Sequence, residues 1–322
     1  MKKIKDLLNN QLSNVDIQFI VKETDIKETK NNKSYLFLNV QDETGTITAK
    51  IWNYDSNQKA QYINTGDVLS ATVNASEYNG ITSLVINDFN ILDDVDKDQF
   101  IPSAPLSEAD LKSKIYQIID LIENETLHDI TLSIMDNHAE KFFTQPAATN
   151  MHHEYKGGLA FHTFTMLQAA NHYLKIYPFL NQDLMYAGII LHDLGKVVEI
   201  NDYIDTSKTL KGELLGHINI VNEFINESLI KPNSYGDILI ETMTEKDENL
   251  VTELKHIILS HHGELEWGSN VTPRTPEAQI IHYIDQIDAK MMMFQKAFSQ
   301  IDEGLTSKVF GVHNNKLYKR EI

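Results

Sequence analysis

The chain has 322 residues and a mass of 36.8 kDa, with 42% hydrophobic and 23% charged residues, enough apolar content for a core in each of two domains. No apolar run reaches the roughly 18 to 20 residues that cross a bilayer, and Met1-Lys2-Lys3-Ile4-Lys5-Asp6 carries an acid where a secretion signal needs an apolar core, so the chain reads as soluble, unexported and cytoplasmic. Zero cysteines exclude disulfides, thiolate metal sites and cysteine nucleophiles, and 28 basic against 46 acidic residues, a net charge of −18, repel a phosphate backbone except where the charge is locally neutralised.

Five short stretches with period-2 alternation come first: Asp16 to Lys22, Tyr35 to Val40, Thr46 to Trp52, Val68 to Val73 and Ile81 to Ile86. Turn signals separate them at Lys30-Asn31-Asn32-Lys33, Asp42-Glu43-Thr44-Gly45, Asn64-Thr65-Gly66-Asp67 and Tyr78-Asn79-Gly80. Five strands in so short a span, with a longer connection near Ser56 to Tyr62, suit a small closed barrel of the OB type over residues 1–95. Alternation sends Leu36, Leu38, Val40, Ile47, Ala49 and Ile51 inward, which leaves Tyr35, Phe37, Lys50 and Trp52 on the outer face. Aromatics there can stack on unpaired bases while the lysine attends the phosphates; the alternative is packing against other protein. The run Tyr35-Leu36-Phe37-Leu38-Asn39-Val40-Gln41-Asp42-Glu43-Thr44-Gly45-Thr46-Ile47 resembles the anticodon-binding type of OB-fold. That resemblance implies single-stranded nucleic-acid binding across the outer face, with Phe37 as the matching stacking residue.

An acidic stretch, Asp93-Asp94-Val95-Asp96-Lys97-Asp98, followed by Pro102 and Pro105, reads as a linker over residues 96–106. From Ser107-Glu108-Ala109-Asp110, a capping-box-like start before Leu111, Ile115, Ile118 and Ile119, the spacing becomes helical and stays so to about residue 300. The expected fold is therefore multidomain, β then α: a five-stranded barrel followed by an all-α domain over 107–300, and a basic C-terminal tail over 301–322. The tail carries Lys308, Lys316, Lys319 and Arg320 with Phe310 and Tyr318, which suits either contact with a nucleic-acid backbone or a plain solubilising terminus.

All thirteen histidines lie between His128 and His313. Five stretches are rich in metal-ligand side chains: Gly157-Gly158-Leu159-Ala160-Phe161-His162, Leu191-His192-Asp193-Leu194-Gly195-Lys196, Gly216-His217, His261-His262-Gly263 and Asp285-Gln286-Ile287-Asp288. Imidazole and carboxylate suit divalent ions from Mg to Zn, and a bridging carboxylate can hold two ions that activate a shared water and clamp a phosphoryl group. Lys196, three residues after Asp193 and on nearly the same helical face, can meet charge developing on phosphate oxygens. The order His162, then His192-Asp193 in an HD-x-G-K setting, then Asp285, resembles the HD phosphohydrolase superfamily from about residue 150 to 295. The resemblance implies that His162, His192, Asp193 and Asp285 hold one metal, that Asp193 bridges to a second, and that His217 with His261 or His262 completes it. Neighbours on a helix diverge by about 100°, so one of the His261–His262 pair is expected to point inward. Asp288, one turn beyond Asp285, competes for the last ligand position, His282 is expected to support that helix or to pack, and His153 is a candidate for reaching substrate phosphate.

An N-terminal OB-fold followed directly by an HD domain resembles the YhaM-type 3′-to-5′ exoribonucleases over nearly the whole chain. The family implies metal-dependent, Mn²⁺-favoured hydrolysis of single-stranded RNA to nucleoside monophosphates, with single-stranded DNA as a further substrate; membranes are not expected as partners, and assembly into a homo-oligomer stays open. Three other readings compete. One is an HD phosphohydrolase of nucleotides or cyclic nucleotides with a regulatory barrel, a second a non-catalytic single-strand-binding protein with a structural metal, and the last a replication-linked DNA-binding role.

Overall fold

Alternating apolar side chains in the first hundred residues close a sheet on itself. The computed structural model describes residues 2–7, 12–78, 81–148, 154–232, 236, 238–299 and 301–321, in two units: Met1–Ser103 with Ile204–Thr206, and Ala104–Tyr203 with Ser207–Ile322. In the first unit a one-turn helix, α1 (Ile4–Leu7), precedes β1 (Val15–Glu28), β2 (Ser34–Asp42), β3 (Gly45–Ile51), β4 (Val68–Tyr78) and β5 (Ile81–Leu92). The strands form a closed barrel in the order β1-β2-β3-β5-β4, antiparallel except at β3–β5, which is the OB-fold expected. Leu36, Leu38, Val40, Ile47, Ala49 and Ile51 fill it together with Phe19, Leu69 and Leu84, and Ile4 and Leu7 of α1 join the same core. Asp42 fixes α1 by accepting the Ile4 backbone N–H at 2.8 Å, while its other oxygen accepts from Thr44 in the β2–β3 turn.

Three strands, β1, β4 and β5, run well past their alternating stretches. β1 continues to Glu28 because a bulge between Val21 and Glu23 shifts its register on β2, so the simple period-2 pattern stops while pairing goes on as far as Glu28 against Ser34. The stretch 96–106 is not a plain spacer. A 3₁₀ turn at Lys97–Phe100 packs on β1 and β2, with Phe100 and Ile101 buried.

The second unit contains α2 (Glu108–Ile119), α3 (Glu125–Phe142), α4 (Gly158–Ile176), α5 (Gln182–Leu191), α6 (Lys196–Glu199), α7 (Leu210–Ile230), α8 (Leu239–Thr242), α9 (Glu245–Ser260) and α10 (Pro276–Phe298). Ser107 caps α2 as its sequence predicts, accepting from the Asp110 backbone N–H at 3.1 Å. Every residue of α5 from Leu184 to Leu191 is buried, and α2, α3, α4, α9 and α10 all pack against it. A helix apolar on all sides is a core helix, so its C-terminal end delivers the next two residues, His192 and Asp193, into the interior. Among the described residues no helix is long and apolar enough to cross a membrane.

Residues 301–322 are more than the tail their composition suggests. They hold β6 (Gly304–Val309) and β7 (Asn315–Lys319), an antiparallel hairpin whose Val312 and Leu317 pack with Ala297 against Met293, Phe294 and Phe298 of α10. Lys319 Nζ ties it down by donating to the carbonyl oxygens of Phe298 at 2.8 Å and Ile301 at 2.7 Å.

Candidate metal centre and nucleic-acid face

Five elements bring the histidine and carboxylate stretches to one place in the helical unit. His162 stands in the second turn of α4; His192 caps α5 and Asp193 follows it; His217 lies in α7; His261 and His262 follow α9; Asp285 and Asp288 belong to α10. Two glycines make the approach possible. A Cβ on Gly195 would fall 2.2 Å from the carbonyl oxygen of His217, so only glycine lets the HD-x-G-K turn lie against α7. Gly216, at φ 70°, kinks α7 immediately before His217.

Asp193 is the hub. Its Oδ2 lies 3.3 Å from His192 Nε2 and 3.8 Å from His162 Nε2, and its Oδ1 lies 3.3 Å from His217 Nε2 and 3.8 Å from His261 Nε2. Each carboxylate oxygen thus faces its own pair of imidazoles. Candidate ligand atoms of His162, His192 and Asp193 lie within 4.8 Å of one another, and so do those of His217, His261 and His262.

The rings are held by their far nitrogens. Nδ1 of His192 donates to the Ile189 carbonyl at 2.8 Å, Nδ1 of His261 to Ile258 at 2.8 Å, and Nδ1 of His262 to Trp267 at 2.9 Å. A carbonyl only accepts, so Nδ1 carries the proton and Nε2 presents its lone pair to the centre. His217 Nδ1 bonds Glu199 at 2.8 Å, and His162 Nδ1 bonds Asp288 at 2.7 Å. Among the described residues the buried Nε2 atoms of His192, His217 and His261 have no hydrogen-bond partner. Buried lone pairs converging on a carboxylate, each on a ring fixed from behind, are the donor set a divalent metal takes, so the residues fit such an ion.

The electrostatics agree. Burial pushes the Asp193 carboxyl up, but the Lys196 ammonium at 2.6 Å and the nearby His192 and His217 outweigh it and hold the group well below the usual carboxylate range. Burial likewise raises Asp285, and pairing with His162 brings it below that range. His162 itself is lowered by burial yet lifted to about 10 by Asp285 and Asp288, a measure of how strongly these carboxylates call for positive charge at the ring. Burial, with the neighbouring imidazoles, keeps His261 and His262 low and therefore neutral. Glu199, which burial raises, is drawn down to about 2 by His217 and by Lys208 at 3.0 Å.

Several sequence expectations are refined here. Asp285 Oδ1 reaches within 3.4 Å of His162 Nε2 on the inner side, whereas Asp288 sits behind the ring and orients it. His261 and His262 do not diverge as two residues inside a helix would, because α9 ends at Ser260; both rings turn toward His217, with centroids 5.6 and 5.3 Å from it. Lys196 donates to Asp193 and does not stand clear of it, and His282 supports the cluster by donating from Nδ1 to the His261 carbonyl at 2.9 Å. His153 lies outside the described residues. Glu199 was not legible as a partner of His217; its one signal is its place on the turn after HD-x-G-K, a single helical turn past Lys196.

On the barrel, Tyr35 and Trp52 lie with ring centroids 5.0 Å apart, Lys50 Nζ is 5.9 Å from the Trp52 ring, and Phe37 pairs directly with Lys50 across β2–β3. Trp52 is 43% exposed and the other three are half-buried. Sequence reading missed Lys27: opposite Tyr35 on β1, it places Nζ 3.7 Å above the Phe37 ring.

Comparison with known proteins agrees with both halves. Residues 159–290 match the HD domain family, and residues 20–92 match the tRNA anticodon family of OB-fold nucleic acid binding domains. The 3′-5′ exoribonuclease YhaM of Geobacillus sp. (strain WCH70) is 36% identical over 309 residues, spanning 95% of this chain and 91% of that protein. Among solved structures, the mitochondrial single-stranded DNA binding protein Rim1 of S. cerevisiae aligns over 26% of this chain and 97% of its own at 22% identity and a TM-score of 0.24. The second OB-fold domain of replication protein A from Methanococcus maripaludis aligns over 26% and 88% at 16% identity and a TM-score of 0.22.

Proposed function

The chain belongs to the family of the 3′-5′ exoribonuclease YhaM, and from that premise we propose that it hydrolyses single-stranded RNA from the 3′ end to nucleoside monophosphates at a two-metal centre. The observation that carries this reading is the split environment of Asp193, whose two oxygens face two separate pairs of imidazoles. In this assignment His162, His192, Asp193 and Asp285 would hold one ion, and Asp193, His217, His261 and His262 would hold the second. Divalent ions there, with Mn²⁺ our assignment, supply Lewis acidity that activates water near neutral pH and offsets charge on the phosphoryl oxygens.

The chain's own residues do the rest. Glu199 and Asp288 fix the rings of His217 and His162, so their lone pairs need no reorganisation when substrate arrives. Lys196, paired to Asp193 at 2.6 Å, is the side chain beside the centre that would offset negative charge developing on phosphoryl oxygens. On the barrel, Tyr35, Phe37 and Trp52 stack bases while Lys27 and Lys50 face the backbone. Single-stranded DNA has the same stacking faces and phosphates, and we include it as a second substrate.

The test is degradation of 5′-labelled single-stranded RNA by wild type, Asp193→Asn and Asp193→Ala, with Mn²⁺ or with EDTA, the fold being checked by circular dichroism. A ladder that shortens from the 3′ end only with metal, and is lost in both variants, supports the proposal. Intact RNA with every metal tried, alongside hydrolysis of a free or cyclic nucleotide, would overturn it.

A further inference from the structure

The hairpin of β6 and β7 has two faces of opposite character. From Gly304 to Arg320 there is no Asp or Glu, in a chain whose net charge is −18. Thr306 and Leu317 turn inward and are 4% and 5% exposed, while Leu305 and Tyr318 pair with each other on the outside at 63% and 69%. Phe310, at the turn, is 85% exposed. Lys308 and Lys316 are also direct partners across the two strands and both exposed, and like charges set directly opposite cost stability. Among the described residues the side chains of Lys308, Lys316 and Arg320 make no ion pair and no hydrogen bond. Lys319 is different, being committed to the carbonyl oxygens of Phe298 and Ile301.

We infer that this hairpin is a second contact for single-stranded RNA, carried by the helical unit itself: Lys308, Lys316 and Arg320 bind backbone phosphates, and Phe310 and Tyr318 stack on bases. The inference rests on the exoribonuclease reading of the metal centre. Exposed aromatics interleaved with unpaired cations are the composition that binds single strands without sequence preference, by stacking and phosphate contact together. The placement also suits the reaction. The hairpin packs on the end of α10, the helix that carries Asp285, and Asp285 to Ala297 is about 18 Å along the helix axis. On this inference a strand with its 3′ end at the metal centre would span that distance to engage the hairpin, which a dinucleotide is expected not to do.

The whole chain, with both units, decides the matter with two variants: Lys308→Ala, Lys316→Ala and Arg320→Ala combined, and Phe310→Ala with Tyr318→Ala. Affinity for a fluorescein-labelled 20-nucleotide RNA is read by anisotropy in EDTA across a salt series, and KM for the 20-mer and for a dinucleotide is read with Mn²⁺. The triple variant is expected to lower the slope of log affinity against log salt by about 2, since each single-strand phosphate contact contributes about 0.7. The aromatic variant, which removes two stacking residues, is expected to weaken binding about 30-fold or more with the slope unchanged. In both, KM for the 20-mer rises several times more than KM for the dinucleotide. Unchanged affinity and slope in both variants would overturn the inference, as would retained RNA affinity with an altered sedimentation coefficient, which would make the hairpin a contact between copies of the chain. If the wild type cleaves no RNA, the metal-centre reading fails, and the anisotropy comparison still decides the hairpin.

Discussion

Asp288 Oδ2 accepts from His162 Nδ1 at 2.7 Å, and its other oxygen accepts the Thr165 hydroxyl at 2.7 Å. Asp285, three residues earlier, approaches the opposite nitrogen of the same ring at 3.4 Å. The two carboxylates therefore bracket one imidazole and should fail differently. Asp288→Asn is expected to raise the Mn²⁺ concentration for half-maximal activity by about 10- to 100-fold and to recover most activity at saturating metal, because it disturbs the ring's orientation and basicity only. Asp285→Asn is expected to stay impaired at every metal concentration. A metal titration of RNA hydrolysis by both variants distinguishes them, and identical titration curves would argue against the division of roles.

Gly195 and His217 make a second prediction, about stability. With a Cβ at position 195 only 2.2 Å from the His217 carbonyl oxygen, the obstructing atom is backbone and cannot rotate away. Gly195→Ala is expected to cost about 1–3 kcal/mol through overpacking, on the order of 5 °C in Tm for a unit of this size. The shift of α7 that relieves the clash also moves His217, so metal affinity should fall with it. Thermal melts with and without Mn²⁺ give both quantities, and an unaltered Tm would mean that the α6–α7 contact is looser than its geometry indicates.

What sequence could and could not reveal about this centre follows from the range of the interactions involved. The HD-x-G-K stretch is local: a buried helix ends and its next residues face the interior, so His192, Asp193 and Lys196 stand out without tertiary information. Asp285 and Asp288 lie one turn apart on one helical face, and only the packing of α4 against α10 decides which of them lies inside His162 and which behind it. The convergence of His261 and His262 depends on where α9 stops, and helix ends are the least legible boundaries. Lys27 reaches Phe37 only through strand register after the β1 bulge. The C-terminal hairpin was hidden for a related reason, since an irregularity between Leu305 and Lys308 breaks the alternation that would mark it as paired strands.

His256 carries a pH dependence separate from the metal centre. Its Nε2 accepts the Arg274 backbone N–H at 2.9 Å in the approach to α10, which requires a neutral ring. Burial, then the positive charge of Arg274, holds its pKa below the ordinary 6.5. Because the folded-state value lies below the unfolded one, the stability it contributes is present above about pH 6.5 and is lost as pH falls through the folded value. His256→Ala is expected to cost about 1 kcal/mol near pH 7.5 and less near pH 5.5. Urea melts in EDTA at the two pH values check this, and an equal loss at both would rule out a titrating contribution.

On the barrel, Phe37 and Lys50 are direct cross-strand partners with different chemistry, so RNA binding should separate them. Stacking is insensitive to salt, whereas a phosphate contact releases counterions. Phe37→Ala is expected to weaken the affinity for single-stranded RNA by about 1–3 kcal/mol with an unchanged salt slope. Lys50→Ala is expected to weaken it less at physiological salt while reducing the slope by about 0.7. Lys27, lying over the Phe37 ring, should behave as a mixture, because its removal uncovers a stacking face and deletes a cation at once. Anisotropy titrations across a salt series measure all three. A slope change in Phe37→Ala, or none in Lys50→Ala, would mean that the strand does not run across this face in the manner proposed.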